Sequence, residues 1–420
     1  MRSSTMALVK GRHTGWLAAL SAVLASLVMP SVDASAASGS LVAYPPANPS
    51  VFEYAVPGAH FLGIVTGADG NLWLADQGNQ SIDQLSFSTG VVTIFPIMHL
   101  QADPTDVALG ADGNVWFPDF NGSYVGKITP AGDITEYTSG ASMLTSVIAA
   151  GPDGNIWFGD VTPALDKITP SGVVTRYPIP QGSANASRVS GITAGPDGNL
   201  WVTDSGSNRI LKVTTSGAIT AFPLPAPTRE PLGITAGPDG NLWFGEQSHG
   251  RIGRMTTSGV LTEFPINTTN SVQGIAAGPD GNLWFGEAAP NHDLVGVMTV
   301  AGRYREFPTP TPQAGPGRPA AGPDGYMWFP ELAGSIAEVA PAGPWLPTSP
   351  WYANPQRPKT QTLTTHSLSI PPKALSPRTH AGTVRPNALP STTPANRPNP
   401  APILSTAARR ILWSLARLFP

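Results

Sequence analysis

The sequence predicts an all-β chain folded as a seven-bladed β-propeller and closed by an N-terminal outer strand. Three observations predict it. The phrase G-x-D-G-N-x-W occurs seven times, with Tyr326 replacing the asparagine in the last copy, and its tryptophans are Trp73, Trp116, Trp157, Trp201, Trp243, Trp284 and Trp328. Successive copies lie 41 to 44 residues apart, the length of one four-stranded blade. The last copy ends at Ala340-Pro341-Ala342-Gly343 with no outer strand after it. The missing strand stands near the N-terminus, where Phe52-Glu53-Tyr54 matches Thr135-Glu136-Tyr137 and Thr262-Glu263-Phe264. Pairing it with the last blade would remove a free sheet edge.

Within one blade the elements follow in order. Gly233 to Ala236 is a strand of small residues suited to the crowded centre of a ring. Gly237-Pro238-Asp239-Gly240-Asn241 is a tight hairpin, with proline presetting φ and Gly240 free to take a positive one. Leu242 to Gly245 is the second strand, carrying Trp243. Arg251 to Thr256 is the third, and Thr257-Ser258-Gly259 turns it into the outer strand Val260 to Phe264. Strand alternation predicts Phe264 facing inward and Glu263 facing water.

The segments outside residues 51–343 read differently. Residues 1–36 resemble a signal peptide: Arg2, Lys10 and Arg12, then an apolar run from Trp16 to Val28, then Ala34-Ser35-Ala36. The run is shorter than the roughly 20 residues of a membrane span, so the reading is a secreted or envelope-exposed protein, with a retained anchor as the alternative. Residues 344–405 form a Pro-, Thr- and Ser-rich stretch expected to be disordered. Residues 406–420 place Ile411, Leu412, Leu415, Leu418 and Phe419 among Arg409, Arg410 and Arg417, a short basic amphipathic pattern that could touch an anionic surface. Residues 37–343 carry 26 acidic and 12 basic side chains, and residues 344–420 carry nine basic and no acidic ones. So acidic a body argues against nucleic acid. The chain has no cysteine, so ring closure, with no help from disulfides, must stabilise an exported monomer.

A propeller is a scaffold, and its function sits on one rim. The G-P-D-G-N hairpins and T-x-S-G turns occupy one rim uniformly. The other receives the links between blades and the variable loops after each second strand, so it is the functional candidate. His249 and His292 fall there, near Glu246 and Glu287, and are the candidate bases. His60 and His99 read as solvated loop residues. An acid recurs three residues after each tryptophan: Asp76, Asp119, Asp160, Asp204, Glu246, Glu287 and Glu331. It could either hold a cation, with Glu246, Glu287 and Glu331 as ligands, or accept backbone N–H bonds from the following loop, which repetition in every blade favours. The residue opening each first strand is glycine in four blades but Asp106 in blade 2, Val147 in blade 3 and Arg318 in blade 7. Asp106, Arg318 and Gln273 should border the mouth of the central channel. The two charged ones could serve a ligand or plug the ring as a salt bridge.

The blade text is similar to that of the virginiamycin B (streptogramin B) lyases, through G-I-T-A-G-P-D-G-N-L-W-F (233–244 and, with Val202, 191–202), R-I-G-R-M-T-T-S-G (251–259) and L-T-E-F-P-I (261–266). Asn208-Arg209-Ile210 also resembles NHL-type propellers, many of which only bind. The lyase resemblance implies opening of a cyclic depsipeptide ester by β-elimination, assisted by Mg²⁺. It also implies a histidine just before the strand-opening residue in each of the last two blades, where this chain has Gln273 and Gly317. The implied metal carboxylates fall at Gly315 and at Leu332, next to Glu331. Three readings stay open: a lyase with a relocated site, a propeller that binds a macrocyclic ligand or an extracellular protein without catalysis, and, more weakly, a metal-dependent lactonase.

Overall fold

The computed structural model describes residues 42–44, 51–99, 101–140, 144–160, 163–180, 187–225, 229–247, 250–266, 271–288 and 293–340. The signal-like segment, the linker, the basic tail, His249 and His292 lie outside these residues. Seven antiparallel sheets stand in a ring. The fifth illustrates the plan, with strands Pro231–Ala236, Leu242–Glu246, Arg251–Met255 and Leu261–Pro265 from centre to edge. The expected closure is present: Val51–Ala55 pairs antiparallel with Ser335–Val339, in a register that sets Val51 against Val339 and Glu53 against Ala337. One element was not foreseen. Val42–Tyr44 adds a fifth strand outside Val51–Ala55.

The structure gives every residue of the repeated phrase a task. In all seven blades the hairpin aspartate accepts the buried indole N–H of the tryptophan four residues on, at 2.9–3.2 Å. A buried indole needs such a partner. The hairpin glycine has φ near +73° in blade 5, a conformation open to glycine at little cost. On the third strand Lys127, Lys167, Lys212 and Arg254 lie over the tryptophans of blades 2 to 5, 5.1–5.6 Å from the ring centres. Each also donates to a carbonyl in the corresponding turn of the next blade, T-x-S-G for the three lysines and Thr299-Val300-Ala301-Gly302 for Arg254. The glycine of that turn is packed as well: a Cβ at Gly302 would come 2.3 Å from Phe264 of the preceding blade. Blades 2 to 5 are each stitched to the next by a cation, an aromatic ring and a glycine. Trp243 is fully buried and stacks on Phe264 at 5.2 Å, so Trp243→Ala is expected to cost about 3–5 kcal/mol in urea unfolding. A loss below about 1 kcal/mol would contradict this packing.

One alternation reading is corrected. Glu263 does not face water; it is 17 % exposed and ion-paired with Arg229 at 2.7 Å and Arg251 at 3.4 Å. The rule of one wet face applies to a sheet with one uncovered side, and a propeller blade has a neighbour against both faces.

Close approach governs the centre of the ring. A Cβ at Gly274 would lie 2.3 Å from the Cα of Arg318, and one at Gly63 would lie 2.6 Å from the Cα of Asp106. In blades 2 and 7, the blades with charged opening residues, the first strand shrinks to Ala108–Leu109 and Ala320–Ala321. Pro104 and Pro316 keep only isolated bridges there, to Asp119 and Glu331, since proline cannot donate to a ladder.

Candidate functional site

The acid after each tryptophan sits at the rim end of a second strand, and its length decides what it does. The aspartates tie the rim together. Asp76 accepts the N–H groups of His60 and Asn79, at 2.9 and 3.1 Å. Asp119 accepts those of Asp103, Asn121 and Gly122, at 2.9–3.2 Å. Asp204 accepts those of Arg188 and Ser207 and the Nε–H of Arg209. Each therefore clamps both the link arriving from the previous blade and the loop that follows.

The glutamates of blades 5 to 7 reach one methylene further and carry their carboxyls inside the blade, all three fully buried. Glu246 lies beside Glu263 and 3.5 Å from Arg229; burial and Glu263 push it up to about 8, against the pull of Arg229. Glu331 accepts the hydroxyl of Ser335 and is raised well above the ordinary range by burial, Glu53 and Asp293. Glu306 is raised by burial beside Glu287. These glutamates sit in separate blades. Among the described residues they join no group of three ligand atoms within 4.8 Å.

At the channel mouth, Asp106 and Arg318 flank blade 1. Asp106 is buried and accepts the N–H groups of Val107 and Ile148, at 2.9 and 3.2 Å, where the shortened strand leaves ladder donors unmatched. Burial pushes its carboxyl up to about 6, while Arg318 opposes the rise through space. Asp106 is thus tied to the scaffold, and Arg318, half-buried, is the cation presented at the mouth. Gln273 is exposed beside it in sequence order around the ring and donates to Ser271 Oγ at 2.9 Å.

Sequence reasoning missed His99. It is not a solvated loop residue: its Nε2 lies 2.5 Å from Asp119 Oδ2 and 3.0 Å from Glu136 Oε1, and its ring is tilted against Tyr124 at 5.3 Å. His60, by contrast, is exposed.

The family model described as "Virginiamycin B lyase family" matches residues 39–186 and 183–346. The chain belongs to the virginiamycin B lyase family. Among solved structures, the selenomethionine-substituted virginiamycin B lyase from Staphylococcus aureus is 32 % identical, with a TM-score of 0.64 over 69 % of this chain and 98 % of that one. A streptogramin B lyase is 29 % identical, with a TM-score of 0.64 over 70 % and 99 %. A catalytically inactive histidine-to-alanine variant of the S. aureus enzyme with quinupristin is 31 % identical, again with a TM-score of 0.64, over 69 % and 98 %. No curated protein matches this chain.

Against this family the rim residues can be tested one by one. Gly315 has φ +65° and gives its N–H to Asp293, and Leu332 is 47 % exposed and apolar. Neither side chain can hold a cation, and the Glu331 carboxyl points inward to Ser335. The residues at the positions implied for Mg²⁺ therefore do not fit that ion.

Proposed function

We propose that this chain is an exported, ligand-binding member of the virginiamycin B lyase family that does not carry out the elimination. The observation that carries this reading is that Gln273 and Gly317 occupy the two positions where the family resemblance implies histidines. β-Elimination needs a base for the proton α to a carbonyl. A neutral carboxamide is not one, and glycine offers no side chain. The missing cation donors at Gly315 and Leu332 remove the second requirement, a charge to hold the developing enolate.

Binding can outlast catalysis. The S. aureus relative that is inactive without one histidine was crystallised with quinupristin. Here the mouth offers Arg318 as a donor for ester or amide carbonyls, Gln273 as a polar neighbour, and Leu62 and Leu232 as half-buried apolar contacts. A cyclic depsipeptide matches that mixture of carbonyls and apolar side chains. The signal-like N-terminus supports action outside the cytoplasm.

Calorimetry with quinupristin, followed by liquid chromatography of the incubated ligand, tests both halves. The expected result is saturable binding with the ligand's retention time unchanged, weakened at least about tenfold by Arg318→Ala. Ring opening by elimination conserves mass, so retention time is the readout, whereas hydrolysis adds one water. A ring-opened isomer formed catalytically would replace this reading with a lyase acting through residues elsewhere on the rim. Recovery of a mature chain from the medium or envelope, beginning near residue 37, checks export.

A further inference from the structure

We propose that His99, Asp119 and Glu136 form a binding site for a divalent transition-metal cation on the outer flank of blade 2, independent of the channel-mouth reading. The three side chains come from three elements: the link between blades 1 and 2, the rim end of the second strand Val115–Asp119, and the outer strand Ile134–Thr138. Their ligand atoms all lie within 4.8 Å of one another.

The site is built. Asp119 is fully buried, and its Oδ1 is held by three backbone N–H groups, which aims Oδ2 at the imidazole. Glu136 Oε1 is buried as well, and neither it nor Asp119 Oδ2 receives a hydrogen bond. The floor has no room for a side chain. A Cβ at Gly122 would meet Tyr124 at 2.6 Å, Asp119 Oδ2 at 2.9 Å and His99 Cε1 at 3.0 Å. Tyr124 braces the ring from one side.

Comparison with blade 5 shows what is missing. There the equivalent acids are Glu246 and Glu263, and the link residue is Arg229. Its guanidinium donates to both oxygens of Glu263, at 2.7 and 3.3 Å, and lies 3.5 Å from Glu246. It supplies a fixed charge and several donors at once. An imidazole supplies one nitrogen toward the same two carboxylates, whereas the guanidinium engages both oxygens of Glu263; Asp119 Oδ2 and Glu136 Oε1, like the oxygens of Glu246, receive no hydrogen bond. A metal ion restores the balance: it takes the lone pair of neutral Nε2 and one oxygen from each carboxylate. One imidazole and two carboxylates suit Zn²⁺, which holds such donors at about 2.0–2.2 Å and therefore about 3.4 Å apart, so Asp119 Oδ2, now 2.5 Å from the imidazole, must retreat by about 1 Å. Three protein ligands leave a coordination position open. Magnesium, which prefers oxygen donors and resists dehydration, is disfavoured by the imidazole.

The test is equilibrium dialysis of the untagged full chain against Zn²⁺ alone, with metal content read by mass spectrometry. The expected result is one tight ion per chain, unaffected by excess Mg²⁺, with affinity reduced at least about tenfold in His99→Ala and in Glu136→Gln. Glu136 is 26 % exposed, so its variant keeps the fold, and circular dichroism verifies this. Stoichiometric binding that survives both substitutions places the ion elsewhere, for example on His366 or His380, and overturns the proposal. Absence of tight Zn²⁺ binding, with His99 protonated as a simple ion-pair partner in an NMR titration, overturns it too.

Discussion

Removing residues 42–57 abolishes the folded ring. Val51–Ala55 is the outer strand of the seventh blade, and its ladder with Ser335–Val339 hydrogen-bonds the start of the chain into that blade. Its loss removes the fully buried Val51 and Glu53 and uncovers the paired edge of Ser335–Val339. An open edge next to a broken ring favours aggregation over a stable six-and-a-half-blade remnant. The truncated chain is expected to show no cooperative urea transition by tryptophan fluorescence. A permuted chain with residues 51–57 moved behind residue 340 through a short turn is expected to fold, since Val51 already faces Val339 as in a hairpin. A truncated chain that unfolds cooperatively within about 1 kcal/mol of the parent would show that the latch is dispensable.

The second large effect is on pH. Glu331 and Asp83 are held well above their ordinary ranges, by burial with Glu53 and Asp293 beside the first and Asp76 beside the second. Glu246 is raised to about 8. For each, the folded state keeps a proton that the unfolded chain releases once the pH passes the ordinary value, 4.5 for glutamate and 3.8 for aspartate. The stabilisation is fully present below those values and is lost as pH rises through the folded ones, with a slope of about 1.4 kcal/mol per pH unit for each retained proton. The hairpin aspartates Asp69, Asp112, Asp153, Asp197 and Asp239 are lowered and act in the opposite sense. Asp197 is lowered to about 2, with burial opposed by Lys212, Trp201 and Asn199. Its contribution exists above 3.8 and disappears as pH falls toward 2. Stability should therefore peak at about pH 4 and decline toward pH 8. Urea midpoints from pH 4 to 9 test this, and Glu331→Gln with Asp83→Asn should flatten the alkaline limb. An unchanged limb in that double variant would refute the assignment.

Much of the candidate site was legible in the sequence as position and little of it as chemistry. The departures Asp106 and Arg318 stood out against four glycines, and the structure places both beside shortened strands. The absence of family histidines at Gln273 and Gly317 needed only alignment of the repeats. His99 was not legible. Its partners lie 20 and 37 residues away in the chain, and one of them is on a strand whose expected wet face is covered by a neighbouring blade. The same covering misdirected the reading of Glu263.

The sequence by itself determined blade number, hairpin type, and which strand closes the ring, because those depend on local periodicity and on turn residues that act over a few positions. Only the tertiary structure decided where each recurring acid sends its charge. A single methylene separates Asp119, clamped to the rim, from Glu246, sunk into its blade, and the partner that meets each carboxyl comes from a different strand or the preceding link. Which partner arrives is set by the packing of blade on blade, information that no single repeat contains.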